Sequence, residues 1–417
     1  VKNSYDSIVI GGGPAGSSAA AVLAEHGRDV LVLEREKFPR YHVGESLIPY
    51  CYFSLERLGM VEKLKASHFT KKYSVQFVSR KGMLSQPFYF SQHLDHEAAC
   101  TWQVWRSEFD QMMLDNAREK GAEAVEQTKV TDLLRDERGQ VTGVRAETAS
   151  GETHEIHAPI TIDATGRDSF AMLRNGWRVR DPQLDKIAIW TYYKGAMRDP
   201  GIDEGATTVA ALPDRGWFWY IPLPGDVVSV GVVAQKDYLF RDTRDLEAIF
   251  DREVKANPWV EQHLAPGVRN EPMRITGEFS YRSRHSASDG LVLAGDAFGF
   301  LDPVFSSGVF LALRSGVLVG DAVHAALADQ DVSAARFTDY SRQLRTEIEA
   351  MRRLVYAFYD NDFSFGKLLK RRPELQPDVT DCLIGHLSRD FERMFQGMAE
   401  IVDLPENLPY GEPLVPA

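Results

Sequence analysis

Cysteine is scarce in this sequence: Cys51, Cys100 and Cys382 stand far apart among 417 residues. Neither that number nor that spacing supports a disulfide framework or a zinc site, so no metal is expected. Positive charge is also short, with 48 Lys and Arg against 60 Asp and Glu and a formal net charge of -12. No long basic arm offsets it, which argues against a nucleic-acid partner, because phosphate binding needs a concentrated positive field. No apolar run approaches the ~20 residues that span a bilayer. Val1 leads into a polar turn rather than a basic-then-apolar leader. These features predict a soluble, cytoplasmic protein with no membrane partner. The sequence has no internal repeat, no low-complexity linker and no second glycine-rich dinucleotide loop.

What is present begins with an ordinary globular balance, 44% hydrophobic and 26% charged residues, enough for two or three packed lobes. Ser7-Ile8-Val9-Ile10 reads as a short buried strand running into Gly11-Gly12-Gly13-Pro14-Ala15-Gly16. Ser17 to His26 follows at helical spacing and is closed by Gly27, and a second apolar strand, Asp29 to Leu33, delivers Glu34. Glycines at 11, 13 and 16 let backbone N–H groups approach a pyrophosphate at a helix N-terminus, beside Pro14 and Ala15. The acid about twenty residues beyond the loop is placed to accept hydrogen bonds from a ribose. A glycine-rich loop alone is also a tight turn, but the full strand-loop-helix-strand-acid order reads as a dinucleotide site.

Two later segments repeat the glycine-plus-acid pattern. Ile162-Asp163-Ala164-Thr165-Gly166-Arg167 follows an apolar strand, and Leu291-Val292-Leu293-Ala294-Gly295-Asp296 ends one. In this three-part pattern the chain resembles the flavoprotein monooxygenase and halogenase superfamily, which threads one FAD through such separated segments. The resemblance implies that Asp163, Gly166, Gly295 and Asp296 are cofactor-binding, with Asp296 toward the ribitol, and that Arg106 lies near the phosphates. A surface salt bridge to Asp110, one turn on, is the other account of Arg106.

Within that superfamily four local matches, in order, resemble the flavin-dependent halogenases that act on phenols and pyrroles. They are Phe38-Pro39-Arg40-Tyr41-His42-Val43-Gly44-Glu45-Ser46, the Lys71-Lys72 pair followed by Phe77, Trp217-Phe218-Trp219-Tyr220-Ile221-Pro222, and Asp302-Pro303-Val304-Phe305-Ser306-Ser307-Gly308. By this resemblance Arg40, Glu45, Ser46, Pro303 and Gly308 belong to the cofactor site. Ser307 and Gly308 open an apolar helical run, Val309 to Ala326, whose free N–H groups suit chloride or bromide. An ordinary capped helix fits the same residues. Lys72, with an aromatic residue five positions on, is the candidate catalytic residue at the far end of a tunnel from the flavin, holding hypohalous acid or carrying halogen on nitrogen; adjacent lysines are otherwise commonly solvated charges. Trp217, Trp219, Ile221, Pro222 and Phe305 would line the flavin and tunnel. The Trp217 to Pro222 run is too bulky on successive positions for a half-buried strand, so both faces must be covered, with Pro222 ending the pairing.

The resemblance further implies that FADH2 and O2 convert halide to hypohalous acid for electrophilic substitution, with FADH2 supplied by a separate NAD(P)H-dependent flavin reductase. Phe305 stands where halogenases of free tryptophan carry glutamate, and the chain ends at Ala417 with little room for their C-terminal lid. An electron-rich phenol or pyrrole is therefore the expected substrate, free or tethered to an acyl carrier protein. The basic cluster Lys367, Lys370, Arg371 and Arg372 suits such a carrier, or is a solvated helix end. The expected fold is α/β: a doubly wound FAD-binding domain from 1–72, 101–180 and 285–330, a mixed or antiparallel sheet on the substrate side from 73–100 and 181–284, and a helical region over 331–417. A flavin monooxygenase or geranylgeranyl-reductase-like enzyme on the same scaffold is the alternative, and a non-catalytic flavin-binding scaffold subunit the more distant one.

Overall fold

The computed structural model describes residues 2–213, 216–277 and 280–415; Val1 and Ala417 lie outside the described residues. Ser7–Ile10 sits at the centre of a six-stranded sheet, with Ile160–Asp163 and Leu291–Leu293 on one side and Val30–Leu33 and Glu123–Val125 on the other. These pairings are all parallel, and Ala287–Ser288 closes the edge antiparallel. All residues of the Ser7–Ile10, Val30–Leu33 and Ile160–Asp163 strands are buried, as continuous apolar runs covered on both faces require. The ends of the two strands beside Ser7–Ile10 bring Glu34 and Ala164 to the glycine loop.

The Pro14–Glu25 helix, small and apolar along Ala19-Ala20-Ala21, packs against a 22-residue helix, Ser307–Ala328. The approach is backbone to backbone. A Cβ on Gly316 would sit 2.4 Å from the Ala15 carbonyl oxygen, and one on Gly320 would sit 2.8 Å from Val22 Cβ. This contact fixes the N-termini of both helices relative to each other. The second helix also corrects the expectation of no long apolar run: by length and composition it is long and apolar enough to cross a membrane. Arg314 and Asp321 had interrupted the run in the sequence, while in the fold its Leu313, Gly316, Val319, Gly320 and Val323 are buried in the protein core.

The other large unit is an eight-stranded mixed sheet. Its central strands, Lys186–Lys194, Val227–Gln235, Trp217–Leu223 and Thr207–Ala211, pair antiparallel, and Ser74–Val78 joins Thr207–Ala211 in parallel. The Trp217–Leu223 strand is buried at every position. Period-two alternation sends Trp217, Trp219 and Ile221 into the main core and Phe218 and Tyr220 into a second one, with Ile189, Val228 and Phe250. Pro222 does not end the pairing: it faces Val228, and Leu223 still faces Val227. The partner strand on the other side is in register only as far as Tyr220, so the missing N–H of Pro222 falls where that ladder has stopped. Beyond the sheets, the Thr338–Tyr359 helix and shorter helices cover the C-terminal side.

Candidate active site

A cavity of about 590 Å³ runs between the two units, within the size range of cofactor and substrate pockets. One end is the glycine loop. Gly11 holds φ +101°, and a Cβ there would lie 2.5 Å from the Ala164 carbonyl oxygen. The Pro14–Glu25 helix starts at Gly13 with no side-chain cap and no acidic residue in its first turn, so its leading amides face the cavity unneutralised. Such a cradle could hold a pyrophosphate, and Gly13, Pro14 and Ala15 line it.

Arg40 and Arg106 stand over the same end. Arg106 Nε and Nη2 donate to Asp110 Oδ1 and Oδ2 at 2.8 and 3.0 Å, and Arg40 Nη1 donates to Asp110 Oδ2 at 3.1 Å. The salt bridge that competed with cofactor binding in the sequence therefore exists, but it is buried rather than on the surface. Asp110 remains ionised: burial works to raise its carboxyl, but Arg106 and Arg40 more than offset that and hold it below its ordinary value. Two guanidiniums thus share one carboxylate, which leaves net positive charge beside the cradle.

The acidic candidates divide. Glu34 lines the cavity while accepting from Gly12 N at 2.8 Å and Glu36 N at 2.9 Å; a carboxylate has lone pairs left for a ribose. Asp296 and Gly166 also line it, and burial pushes the Asp296 carboxyl up to about 6 against the pull of Arg167 and Arg106. Asp163 does not reach the cavity. Fully buried, it accepts from Thr165 N, Thr165 Oγ1 and Ala171 N, so it shapes the loop that carries Gly166. Gly16 and Gly295 are also set back. A Cβ on Gly16 would fall 1.9 Å from the Gly11 oxygen and one on Gly295 3.0 Å from Ala15 Cβ, so they permit close packing rather than line the space.

The opposite face is aromatic. Trp217, Trp219, Ile221 and Trp190 line it, and Gly231 makes the arrangement possible, because it pairs with both Trp219 and Trp190 and a Cβ there would lie 2.2 Å from the Trp219 ring. Trp217 Nε1 donates to Tyr359 Oη at 2.8 Å, and Tyr359 donates to Asp302 Oδ2 at 2.6 Å. Asp302 is fully buried, which pushes its carboxyl up to about 6. Pro222 faces the other core, and Phe305 packs edge-on to Phe358 and Phe365; neither lines the cavity.

Beside this face the Ser307–Ala328 helix begins. Its N-cap is Ser306, at φ +54°, with no side-chain cap and no acid in the first turn. Pro303, Ser306 and Gly308 line the cavity, whereas Ser307 is turned inward at 3% exposure. A Cβ added at Gly308 would meet nothing within 4 Å, so open space adjoins amides that carry the positive end of a long helix.

Lys72 lies just behind the cavity and not in it. Its strand, Thr70–Lys72, alternates so that Lys71 is exposed and Lys72 is wholly buried. Nζ donates to Ser46 Oγ at 2.8 Å and to the Leu47 carbonyl at 3.1 Å, and Ser46 Oγ is 2.8 Å from Thr207 Oγ1. Ser46 and Thr207 both line the cavity, so one hydroxyl separates the amine from it. Burial without a nearby carboxylate lowers the Lys72 amine to about 7. Glu45, also buried, accepts from Tyr192 Oη at 2.7 Å, and burial raises its carboxyl above the ordinary value.

Reading the sequence missed Tyr41, Trp190, Tyr192 and Thr207. Trp190 and Tyr192 alternate on one strand, but their partners lie some 150 positions away in the chain, and no local spacing announces them.

A parallel α/β sheet and, sharing one cavity, a glycine-loop cradle, a tryptophan face and an uncapped helix N-terminus are the features of a nucleotide-cofactor fold. The tryptophan halogenase family profile matches residues 6–105 and 81–365. A 1H-pyrrole-2-carbonyl peptidyl-carrier protein brominase of Pseudoalteromonas luteoviolacea is 32% identical over 92% of this chain and 92% of its own length. The corresponding chlorinase of Pseudomonas fluorescens is 29% identical over 97% of this chain and 95% of its own. The structure of the flavin-dependent brominase Bmp2 matches with a TM-score of 0.85 and 28% identity, covering 95% of this chain and 98% of that one. The chain belongs to the flavin-dependent halogenase family.

Proposed function

We propose that this enzyme halogenates an electron-rich aromatic ring, making hypohalous acid in the cavity and passing it to Lys72. The observation that carries the reading is the continuity of cradle, Trp219 face, uncapped helix start and Ser46, with the Lys72 amine one hydrogen bond beyond. FAD fits the cradle. Gly11, Gly13, Pro14 and Ala15 would hold its pyrophosphate with Arg40 and Arg106, Glu34 the ribose, and Asp296 the ribitol. Reduced FAD supplies, when bound, the two electrons with which O2 converts halide to hypohalous acid. The amides at Gly308 hold chloride or bromide, and the Trp217, Trp219 and Ile221 face keeps the organic substrate out of the oxidising end.

Lys72 then fixes the halogen's position, by donating a hydrogen bond to hypohalous acid or, as the neutral amine that a value near 7 makes available, by carrying halogen on nitrogen. No carboxylate stands at Phe305 to activate an unreactive ring, which favours a phenol or a pyrrole. The two pyrrole-carrier halogenases among its relatives favour a pyrrole on a carrier protein. A separate flavin reductase supplies FADH2.

The test supplies the protein with FAD, a flavin reductase, NADH, O2 and bromide or chloride, and offers free phenols and pyrroles alongside a pyrrole-2-carbonyl carrier protein. Products bearing halogen isotope patterns, lost in Lys72→Ala, are expected. Hydroxylated products, or turnover indifferent to halide, would assign the protein to the monooxygenases instead.

A further inference from the structure

Halide oxidation in this cavity needs a proton as well as electrons. Written in balance, FADH2, O2, X⁻ and H⁺ give FAD, HOX and H2O, so one proton enters per turnover because an anion becomes a neutral acid. The proton must reach the end of the cavity that Trp190, Trp217 and Trp219 bound.

A line of hydroxyls ends in that space. Trp190 Nε1 donates to Tyr41 Oη at 2.7 Å, Tyr41 and Tyr192 hydroxyls are 3.0 Å apart, and Tyr192 Oη donates to Glu45 Oε1 at 2.7 Å. With Glu45 ionised, the single O–H of Tyr192 is committed to its carboxylate, so Tyr41 is the donor between the two phenols. Tyr41 in turn accepts from an indole N–H that never releases its proton. In that state every movable proton points toward Glu45. Tyr41, at the other end, lines the cavity wall as well and is 43% exposed, while Glu45 is 1% exposed and Tyr192 2%.

We propose that Tyr41, Tyr192 and Glu45 form the proton line that feeds halide oxidation, with Glu45 the acid facing the cavity. This rests on the halogenase reading above. In one turnover the Glu45 carboxyl gives its proton to the O2-derived oxygen that leaves as water. Tyr192 passes its proton to Glu45, Tyr41 passes its own to Tyr192, and solvent reprotonates Tyr41. No bond other than O–H forms or breaks along the line.

The surroundings suit the task. The charged groups acting on Glu45 and the phenols are Arg106, whose Nη1 binds the Val43 and Gly44 carbonyls while its other nitrogens hold Asp110, and Arg274, whose guanidinium lies 3.7 Å over the Tyr41 ring. Burial raises the Tyr41 phenol above its ordinary value, and the hydrogen bonds to Tyr192 and from Trp190, together with Arg274, oppose that. Burial raises the Glu45 carboxyl, and the Tyr192 hydrogen bond and Arg106 oppose that, so Glu45 can hold a proton outside the ordinary carboxylate range.

The apoprotein gives a readout that needs no turnover. Infrared titration of the protonated-carboxyl band should show a component absent from Glu45→Gln. Its midpoint should lie above the ordinary carboxylate value in the wild type and rise further in Tyr192→Phe, which removes a donor to the ionised form. In the reconstituted enzyme, Tyr192→Phe and Tyr41→Phe should each lower halide-dependent turnover at least ~100-fold, the lower edge of a lost proton-transfer group. FAD affinity and KM for bromide should stay unchanged, and the solvent deuterium isotope effect should rise. FAD fluorescence quenching confirms that the variants fold. Wild-type turnover in both tyrosine variants, or a Glu45 midpoint indifferent to Tyr192→Phe, would overturn the proposal. A wild-type enzyme that makes no hypohalous acid would overturn the reading beneath it, and is told apart because the infrared titration is made without FAD.

Discussion

Replacing Lys72 by Met should make the stability difference between the two proteins depend steeply on pH. In the fold the amine is wholly buried and lowered from 10.5 to about 7, with burial as the cause. Between those two values the unfolded chain carries a proton at Lys72 that the folded chain does not, so the native state gains stability as pH rises through this window. One proton corresponds to about 1.4 kcal/mol per pH unit, and the whole window to about 5 kcal/mol. Below pH 7 both states are protonated and this contribution is flat, with the native state carrying the full penalty of a buried ammonium. Met fills similar volume without charge but loses the hydrogen bonds to Ser46 Oγ and the Leu47 carbonyl, roughly 1 kcal/mol each. Lys72→Met is thus expected to be more stable than the wild type at pH 6, by about 3 kcal/mol, and less stable at pH 10. Urea denaturation followed by tryptophan fluorescence at whole pH units from 6 to 10 measures the difference, with Lys71→Met as the exposed control. A difference that does not change between pH 7 and 10 would mean that Lys72 stays charged and solvated in the native state, and would refute its place in the account.

Gly16→Ala forces a Cβ toward the Gly11 carbonyl at 1.9 Å. The overpacking, roughly 1–3 kcal/mol, should distort the cradle and weaken FAD binding about 10- to 100-fold, as flavin fluorescence titration would show. Gly308→Ala has room for its methyl but crowds the leading amides of the long helix; KM for bromide should rise about tenfold, equivalent to ~1.4 kcal/mol, with FAD affinity unchanged in the same titration. Tyr359→Phe leaves Trp217 Nε1 without an acceptor and Asp302 Oδ2 without its phenol donor, with Val304 N still donating to Oδ1, and a buried group left unpaired costs about 1–3 kcal/mol. Because the lost hydrogen bond favours the ionised Asp302, whose carboxyl already sits at about 6, the destabilisation should be larger at pH 7.5 than at pH 5 in chemical denaturation.

The parts of this fold that could be read from sequence are those set by local geometry. The loop from Gly11 to Gly16 announces itself because the turn and the helix start each demand small residues at fixed offsets. The run from Trp217 to Pro222 announces a doubly buried strand because large residues occupy both of its faces. Lys72 was harder, since two adjacent lysines look alike until a short strand turns one outward and one inward. Pro222 was misplaced as an end of pairing because sequence does not reveal where the neighbouring strand stops. Asp163 had the residue type and position of a cofactor ligand, yet its carboxylate is taken up by the turn after it. The links Tyr41–Tyr192, Tyr192–Glu45 and Ser46–Thr207 span roughly 150 residues and arise from strand register in the tertiary fold, which periodicity cannot supply.

The central claim is that halide is oxidised on one side of Ser46 and transferred by Lys72 on the other. The most direct test compares wild type and Lys72→Ala, both supplied with FADH2, O2 and bromide. It scores halogenation of the organic substrate separately from halogenation of a small diffusible trap for hypobromous acid. The account predicts that Lys72→Ala still halogenates the trap at near the wild-type rate of flavin oxidation while substrate halogenation falls at least 100-fold. Parallel loss of both activities, or substrate halogenation that survives without Lys72, would contradict it.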